Sequence, residues 1–233
     1  MNDYQANYAG PVVADLDASA RATFITRTYT HLCGAIVAFT LIEMYLFSSG
    51  LAPKIASGLM SVSWLIVMGG FVLVSWLASW AAMQATSKVA QYAALSGFVA
   101  AEAIIFVPLL YLAQSVAPGV IQSAAVVTLL GFGALTAVVF VTKKDFSALR
   151  GILFWGGILA LGTIVGAVIF KFNLGTWFSV GMVALAGGAI LFDTSNVLHK
   201  YPEDRYVGAA LQLFASVALM FWYVLRLFMG SRR

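Results

Sequence analysis

The sequence has little charge for its length. Acidic and basic side chains together make up 9% of its 233 residues, whereas a soluble domain carries about 25%. So few charges cannot cover a water-facing surface. Hydrophobic residues make up 62% of the chain, and its mean hydropathy is +0.95. The composition therefore predicts an integral membrane protein and excludes an ordinary soluble domain.

Cysteine and histidine are also scarce. Cys33 is the only cysteine, so the chain has no disulfide framework and no cysteine-based metal site, and we expect this residue to be buried as a small hydrophobe. The two histidines are far apart in sequence, and the zinc-protease, P-loop and dinucleotide-binding patterns are missing. We therefore expect neither an enzymatic activity nor a bound cofactor.

The basic residues do not indicate a nucleic-acid partner. The net charge is +4, but the lysines and arginines stand singly or in pairs between apolar runs, as topology determinants and lipid head-group contacts do. The expected partner is thus the lipid bilayer. Residues 1–22 contain Asp3, Asp15 and Asp17 but no basic residue before Arg21, unlike a secretory signal. We interpret this stretch as a polar cytosolic tail.

Seven apolar runs follow that tail. A membrane-spanning helix needs about 20 mostly apolar residues, and short segments rich in Gly, Pro, Asn and Ser separate the runs. This pattern predicts an all-α polytopic membrane protein in which residues 23–233 form a single bundle of seven transmembrane helices. The predicted spans are 28–49, 57–83, 89–112, 119–141, 151–170, 175–198 and 207–229.

The distribution of lysine and arginine predicts the orientation of the bundle. Eight of these residues fall in the N-terminal tail or next to the connections after the second, fourth and sixth spans, and five fall on the opposite side. Because basic residues concentrate on the cytoplasmic side, we expect the N-terminus to be cytoplasmic. The sixth span then runs inward, which places Asp193 about a turn and a half from the cytoplasmic surface.

Three acidic residues lie inside the predicted spans: Glu43, Glu102 and Asp193. An Asp at the centre of a bilayer costs roughly 2.5–3.5 kcal/mol, so each of these residues is a candidate functional group. Glu43 and Glu102 could line a water-filled mouth or only accept structural hydrogen bonds. Asp193 could gate a pathway or only join two helices.

The residues around Asp193 indicate where it points. It shares a helix face with Asn196, and the seventh span carries a polar stripe of Gln212, Ser216 and Tyr223. We therefore expect Asp193 to face the seventh span. The Asp-Thr-Ser sequence at 193–195 is similar to an aspartic protease signature, but that chemistry needs a second aspartate and no other span contains one. Asp145, in a loop, is expected to pair with a neighbouring lysine, Lys143 or Lys144.

Four segments of the chain resemble one family. They are ARATFITRTYTHL at 20–32, FVTKKDFSALRG at 140–151, AGGAILFDTSNVLHKY at 186–201 and LFASVALMFWYVLRLF at 213–228. Together with the seven-span layout they resemble the Bax inhibitor-1 (transmembrane Bax inhibitor motif) family, and most closely its bacterial YccA-like branch. The resemblance covers nearly the whole chain from about residue 20.

The resemblance implies a bundle wrapped around its last helix and a pH-sensitive calcium leak. In channel-like members, one Asp in the sixth span and one in the seventh share a proton and gate the pore. Asp193 matches the first of these, but Ser216 stands at the second position and cannot titrate. The implied function is a calcium-permeable leak with a single-carboxylate gate, in which Glu43 and Glu102 join the pathway, Asn196, Gln212 and Tyr223 give polar support, and Ca²⁺ is the permeant ion.

The YccA-like branch implies an alternative function. Its members are linked to modulation of a membrane-anchored ATP-dependent (AAA) protease, and such a modulator need not conduct ions. This branch also implies a location in the bacterial inner membrane.

Overall fold

The computed structural model describes residues 11–116 and 118–230, and these contain eight α-helices and no β-strand. Short 3₁₀ turns at Val13–Asp15 and Glu203–Arg205 precede the first and last of these helices. The helices are α1 (Ala18–Ser48), α2 (Ala52–Ser61), α3 (Trp64–Gln84), α4 (Lys88–Val116), α5 (Val120–Thr142), α6 (Leu149–Phe170), α7 (Gly175–His199) and α8 (Tyr206–Gly230).

All of these helices except α2 are long and apolar enough to cross a membrane, which gives seven spans in the described part of the chain. The expectation of an all-α polytopic membrane protein is confirmed. Cys33 is exposed on α1, so the expectation that it is buried was wrong. Gly34 and Val37 nearby on α1 are exposed as well, so this face of α1 packs on no other helix in the described part of the chain.

The second predicted span was wrong in its first part. The apolar run 57–83 breaks at Val62 and Ser63, where the backbone is extended (ψ 150° and 127°). The ten-residue helix α2 before the break is too short to cross a bilayer. It packs Ala52 and Ala56 against a cluster that includes Val107 of α4.

Helix α1 begins ten residues before the first predicted span because Asp17 caps its N-terminus. The Asp17 carboxylate accepts hydrogen bonds from the backbone N–H groups of Ala20 and Ser19, at 2.9 and 2.8 Å. These bonds, together with one from the Ser19 hydroxyl, hold the pKa of Asp17 below its usual value. The cap extends the helix into a stretch that hydropathy alone assigns to the tail.

Helix α8 is the centre of the bundle. It packs against α1, α3, α4, α5 and α7. In its most apolar stretch 72% of residues are buried, compared with 50% in α4 and 6% in α3 and α6. At Gly208 the approach to α3 is so close that a Cβ atom would lie 3.0 Å from the carbonyl oxygen of Ala82. The expectation that the last helix is central is confirmed.

The connections between helices lie on two faces of the bundle. The N-side face carries residues 11–17 and the connections after α3, α5 and α7, which hydrogen bonds join to one another. Val13 N–H donates to the Tyr201 carbonyl at 2.9 Å, and the Arg205 guanidinium donates to the Ala85 carbonyl. The C-side face carries the connections after α1, α2, α4 and α6. The eight basic residues counted above lie on or near the N-side face.

Candidate functional site

Asp193 lies where α7 packs on α8. The Ser216 hydroxyl on α8 donates a hydrogen bond of 2.6 Å to Asp193 Oδ2, and Ser216 is only 7% exposed. Asp193 therefore points into the bundle, and its contact with Ser216 joins the two helices directly.

A second contact closes the N-side end of α7, about half a turn beyond Asp193. The buried hydroxyl of Ser195 accepts a hydrogen bond of 3.0 Å from Phe146 N–H and can donate to Asp145 Oδ1 at 3.4 Å. The Lys200 ammonium lies 3.4 Å from Asp145 Oδ1. We call these four residues, Asp145, Phe146, Ser195 and Lys200, the N-side latch, because they hold the α5–α6 connection against α7.

The expected pairing of Asp145 with Lys143 or Lys144 was wrong, because its ion pair is with Lys200. Lys143 ends α5 in a left-handed conformation (φ 49°), which turns the following chain back toward α7. Burial acts to raise the pKa of Asp145, but hydrogen bonds from Ser147 and the charge of Lys200 outweigh it and hold the pKa below its usual value. The sequence did not indicate Lys200 as the partner of Asp145 because the two residues are 55 positions apart.

Three buried hydroxyl groups lie near the same end of the bundle. The Tyr29 hydroxyl on α1 lies beside those of Thr136 on α5 and Thr194 on α7, but none of the three has a partner at hydrogen-bonding geometry among the described residues. Buried polar groups of this kind are the positions that internal water occupies. Sequence reasoning missed this cluster, although Thr194 directly follows Asp193.

Glu43 lies in the other half of the bundle. It is 7% exposed, and both of its carboxyl oxygens are buried without a hydrogen-bond partner in the described part of the chain. It lines a cavity of about 920 Å³ between α1, α4, α5 and α8, near the C-side face. We call this space the C-side cavity. Its other polar lining residues include Thr40, Gln114, Gln122 and Thr128.

The C-side cavity does not reach Asp193. Its deepest lining residues on α8 are Phe214 and Val217, and neither Asp193 nor Ser216 lines it. Glu43 and Asp193 therefore belong to separate halves of the molecule and form no single cluster.

Glu102 lies in neither half but in an aromatic layer between them. It is 6% exposed and sits one turn from both Phe98 and Phe106 on α4. These two rings contact Phe214 and Phe221 of α8, with centroids 6.1 and 5.6 Å apart. Glu102 is thus on the face of α4 that packs on α8, without a hydrogen bond to Glu43 or Asp193.

Asn196, Gln212 and Tyr223 are the three residues expected to support Asp193. No hydrogen bond joins Asn196, Gln212 or Tyr223 to Asp193 among the residues described. Tyr223 is two turns from Ser216 toward the C-side face, where its ring contacts Phe178 at 5.9 Å. Their supporting role remains a prediction.

A further polar cluster on the N-side was not expected from the sequence. His31 on α1 hydrogen-bonds the Tyr92 hydroxyl at 2.9 Å and the Arg27 carbonyl at 2.6 Å. The Lys88 ammonium lies 4.3 Å from the centre of the Tyr206 ring. These contacts tie α1, α4 and α8 together at the N-side face.

Within residues 11–116 and 118–230, no three His, Cys, Asp or Glu side chains are grouped closely enough to hold a metal ion. The acidic residues are instead dispersed along the length of the bundle.

A comparison with protein families matches residues 21–233 to the family described as inhibitor of apoptosis-promoting Bax1. The chain belongs to the Bax inhibitor-1 family. Bax inhibitor 1 of Schizosaccharomyces pombe is 28% identical over 227 residues, which are 92% of this chain and 79% of the relative.

Two bacterial relatives match shorter stretches. An uncharacterised protein of Pseudomonas aeruginosa is 32% identical over 51% of this chain and 54% of its own length. The Escherichia coli (strain K12) protein named Modulator of FtsH protease YccA is 34% identical over 40% of this chain and 43% of its own length. The chain thus spans about half the length of these two relatives. The name of the family describes an inhibitor, and the name of the Escherichia coli relative describes a modulator.

Proposed function

We propose that this Bax inhibitor-1 family protein is a passive leak for Ca²⁺ whose gate is the contact between Asp193 and Ser216. The observation that carries the proposal is the 2.6 Å hydrogen bond between the two side chains, which is partly buried where α7 meets the central helix. An ion can pass between α7 and α8 at Asp193 only if this bond breaks and the two helices separate. The contact is therefore the closed state of the gate.

The route of the ion follows from the spaces on either side of the gate. The C-side cavity leads inward past Glu43, and the hydroxyls of Tyr29, Thr136 and Thr194 supply polar groups in the N-side half. Phe214 and Val217 separate the two regions. Opening requires α8 to move, and that movement would also expose Glu102 to the pathway. The N-side latch closes the far end.

The oxygen ligands on this route suit a permeant ion. Ca²⁺ takes six to eight oxygen ligands, and Asp193 with Ser216 supplies at most three. An ion at the gate therefore keeps most of its water, as conduction requires, since a site must bind weakly enough to release. Because Ser216 does not titrate, the proton-sharing pair of channel-like relatives is not available to gate this chain.

The test is calcium flux into liposomes that contain the purified full chain and a trapped calcium indicator. We expect a leak above that of empty liposomes, reduced about tenfold in Asp193→Asn, which removes the charge at constant size. Glu203→Gln, an exposed change on the N-side face, is the matched control and should leave the leak unchanged. Liposomes no leakier than empty ones would exclude conduction.

A second function, modulation of a membrane-anchored AAA protease, is favoured by one observation: the 34% identical segment shared with the Escherichia coli protein named a modulator of FtsH protease. A modulator of this kind acts through contacts between its surface and the protease. Removal of residues 1–10 preserves Asp17 and the bond from Val13 to Tyr201. We expect this deletion to weaken co-purification with the protease and to change the half-life of its membrane substrates, whereas Asp193→Asn does neither. Unchanged values in the deletion would contradict this function.

We also propose that the protein resides in the bacterial inner membrane with its N-side face in the cytoplasm. Supporting this, a second Escherichia coli relative is named an inner membrane protein, and eight of the thirteen basic residues lie toward the N-side face. A protease-cleavable tag at the N-terminus should be protected in intact spheroplasts and cut in inverted vesicles. The reverse result would overturn the orientation.

A further inference from the structure

The C-side cavity opens sideways, through a gap between α1 and α5. Both helices pack on α8. At the N-side they meet through Tyr29, whose ring lies 5.8 Å from that of Phe140. Toward the C-side, lining residues on both helices are exposed, since Met44 is 63% exposed and Leu129 is 47% exposed. In a spanning bundle this opening faces the hydrocarbon of the bilayer.

The walls of the cavity are apolar, and one ionisable side chain lies inside it. Most lining side chains are aliphatic or aromatic, among them Ile36, Phe39, Leu110 and Phe221. Glu43 is the one ionisable residue among the described residues of the lining. Its carboxyl oxygens have no partner in the described protein, and a buried carboxylate without a partner is costly. A ligand that supplies a positive donor would satisfy it.

The depth of Glu43 matches the position of an amphiphile's head group. Glu43 precedes the end of α1 at Ser48 by five residues, which is roughly 8 Å along a helix. Below it, the lining continues seven residues further to Ile36, roughly another 10 Å toward the middle of the bundle. The polar group of the cavity is therefore near the membrane surface and the apolar part lies deeper, as in a lipid leaflet.

From this arrangement we propose that the C-side cavity binds a single-chain lipid amine, with its ammonium on the Glu43 carboxylate and its alkyl chain along the apolar walls toward Phe214. The ligand enters from the bilayer through the gap between α1 and α5. Fatty acids are rejected because their carboxylate would meet Glu43. Neutral alcohols bind more weakly because they lack the charge-assisted hydrogen bond. This inference does not depend on ion conduction.

The experiment uses the full chain in phosphatidylcholine nanodiscs and a photoreactive dodecylamine with a diazirine in its chain. We expect light to attach this probe to residues that line the cavity, and to attach the matched photoreactive dodecanol about tenfold less. In Glu43→Gln the preference for the amine should disappear. Glu102→Gln, which alters a buried acid outside the cavity, is the matched control and should preserve that preference.

A second variant covers the case in which Glu43→Gln does not fold. Ala125 on α5 lines the cavity and is half-buried, so Ala125→Phe fills the space and leaves Glu43 intact. Labelling of the cavity should then fall for both probes. Equal labelling by amine and alcohol in the unaltered chain, or labelling by the amine that neither Glu43→Gln nor Ala125→Phe reduces, would overturn the proposal. Because attachment of the probe is measured without ions, failure of the calcium leak leaves this test intact.

Discussion

The two halves of the bundle differ in the surroundings that they give to an acidic side chain within a span. In the N-side half, Asp193 has a partner at 2.6 Å and the N-side latch holds the adjoining connection. In the C-side half, Glu43 has no hydrogen-bond partner among the described residues and borders a cavity of about 920 Å³. Both acids lie in apolar helices, so composition does not decide their surroundings. The difference arises from whether a polar side chain on a neighbouring helix reaches the carboxylate.

The connections explain why one half is closed and the other open. On the N-side, the connections between helices form hydrogen bonds with one another and with α7, as Val13 does with Tyr201 and Phe146 with Ser195. On the C-side, the short helix α2 packs on α4 and contacts α1 through Leu46, but it does not fill the gap between α1 and α5. The open half is therefore the one with a ligand-sized space, and the closed half is the one with the hydrogen bond between Asp193 and Ser216.

In the closed half, the largest loss of stability is expected from a substitution that pushes α3 away from α8. In Gly208→Ala the new Cβ would lie 2.7 Å from Met83 Sδ and 3.0 Å from the Ala82 carbonyl oxygen. We expect this change to lower the free energy of unfolding by about 2–3 kcal/mol, measured by thermal denaturation in detergent. Gly133→Ala is the matched control, because a Cβ there meets nothing within 4 Å. Equal effects of the two changes would contradict this interpretation.

The next largest effect should come from removing the partner of Asp193. Ser216→Ala deletes the donor and leaves the partly buried carboxyl group of Asp193 without it, which costs about 1–2 kcal/mol in free energy of unfolding. Thermal denaturation in detergent measures this effect. Ser123→Ala removes an exposed hydroxyl that bonds its own helix turn and is expected to cost far less. If Ser216→Ala were as mild as that control, the contact would not hold α7 to α8.

A smaller effect is expected at the N-side latch. Lys200→Met removes the ion pair with Asp145, whose side chain is 50% exposed, and solvent screening limits the loss to about 0.5 kcal/mol. The pKa of Asp145 is depressed in the folded protein. Its contribution is thus present above the unfolded-state pKa of about 3.9 and is lost as the pH falls through the folded value.

This sign gives the latch a measurable pH dependence. The difference in melting temperature between the unaltered chain and Lys200→Met should shrink as the pH is lowered from 7 toward 3. A difference that stays constant across this range would show that the pair does not contribute through the charge of Asp145.

The smallest effect is expected in the open half. Glu43→Gln replaces a carboxyl that has no hydrogen-bond partner among the described residues with a neutral amide of the same size, so no hydrogen bond is lost and we expect the free energy of unfolding to fall by less than in the variants above. Thermal denaturation beside Ser216→Ala gives the direct comparison of the two halves. A loss as large as that of Ser216→Ala would show that Glu43 has a stabilising partner after all.

The sequence predicts the spans well because apolar runs of this length have few other uses. It also placed Asp193 opposite Ser216, since both lie on polar stripes at helical spacing. It missed the break at Val62 because extended backbone in an apolar run leaves no mark in hydropathy. The partner of Asp145 was missed because Lys200 is near it only after the chain reverses at Lys143. The cavity beside Glu43 could not be predicted from the sequence, because a gap between helices depends on how the helices cross and not on any local sequence pattern.

The central place of α8 sets the order of assembly during translation. Every other span leaves the ribosome before residues 206–230, yet α1, α3, α4, α5 and α7 all pack on that helix. Until it is inserted, Asp193 lacks Ser216 and the aromatic rings of α4 lack theirs. Pairs such as α3 with α4 and α5 with α7 can pack on each other before that point, but every contact with the central helix forms after the last span is inserted.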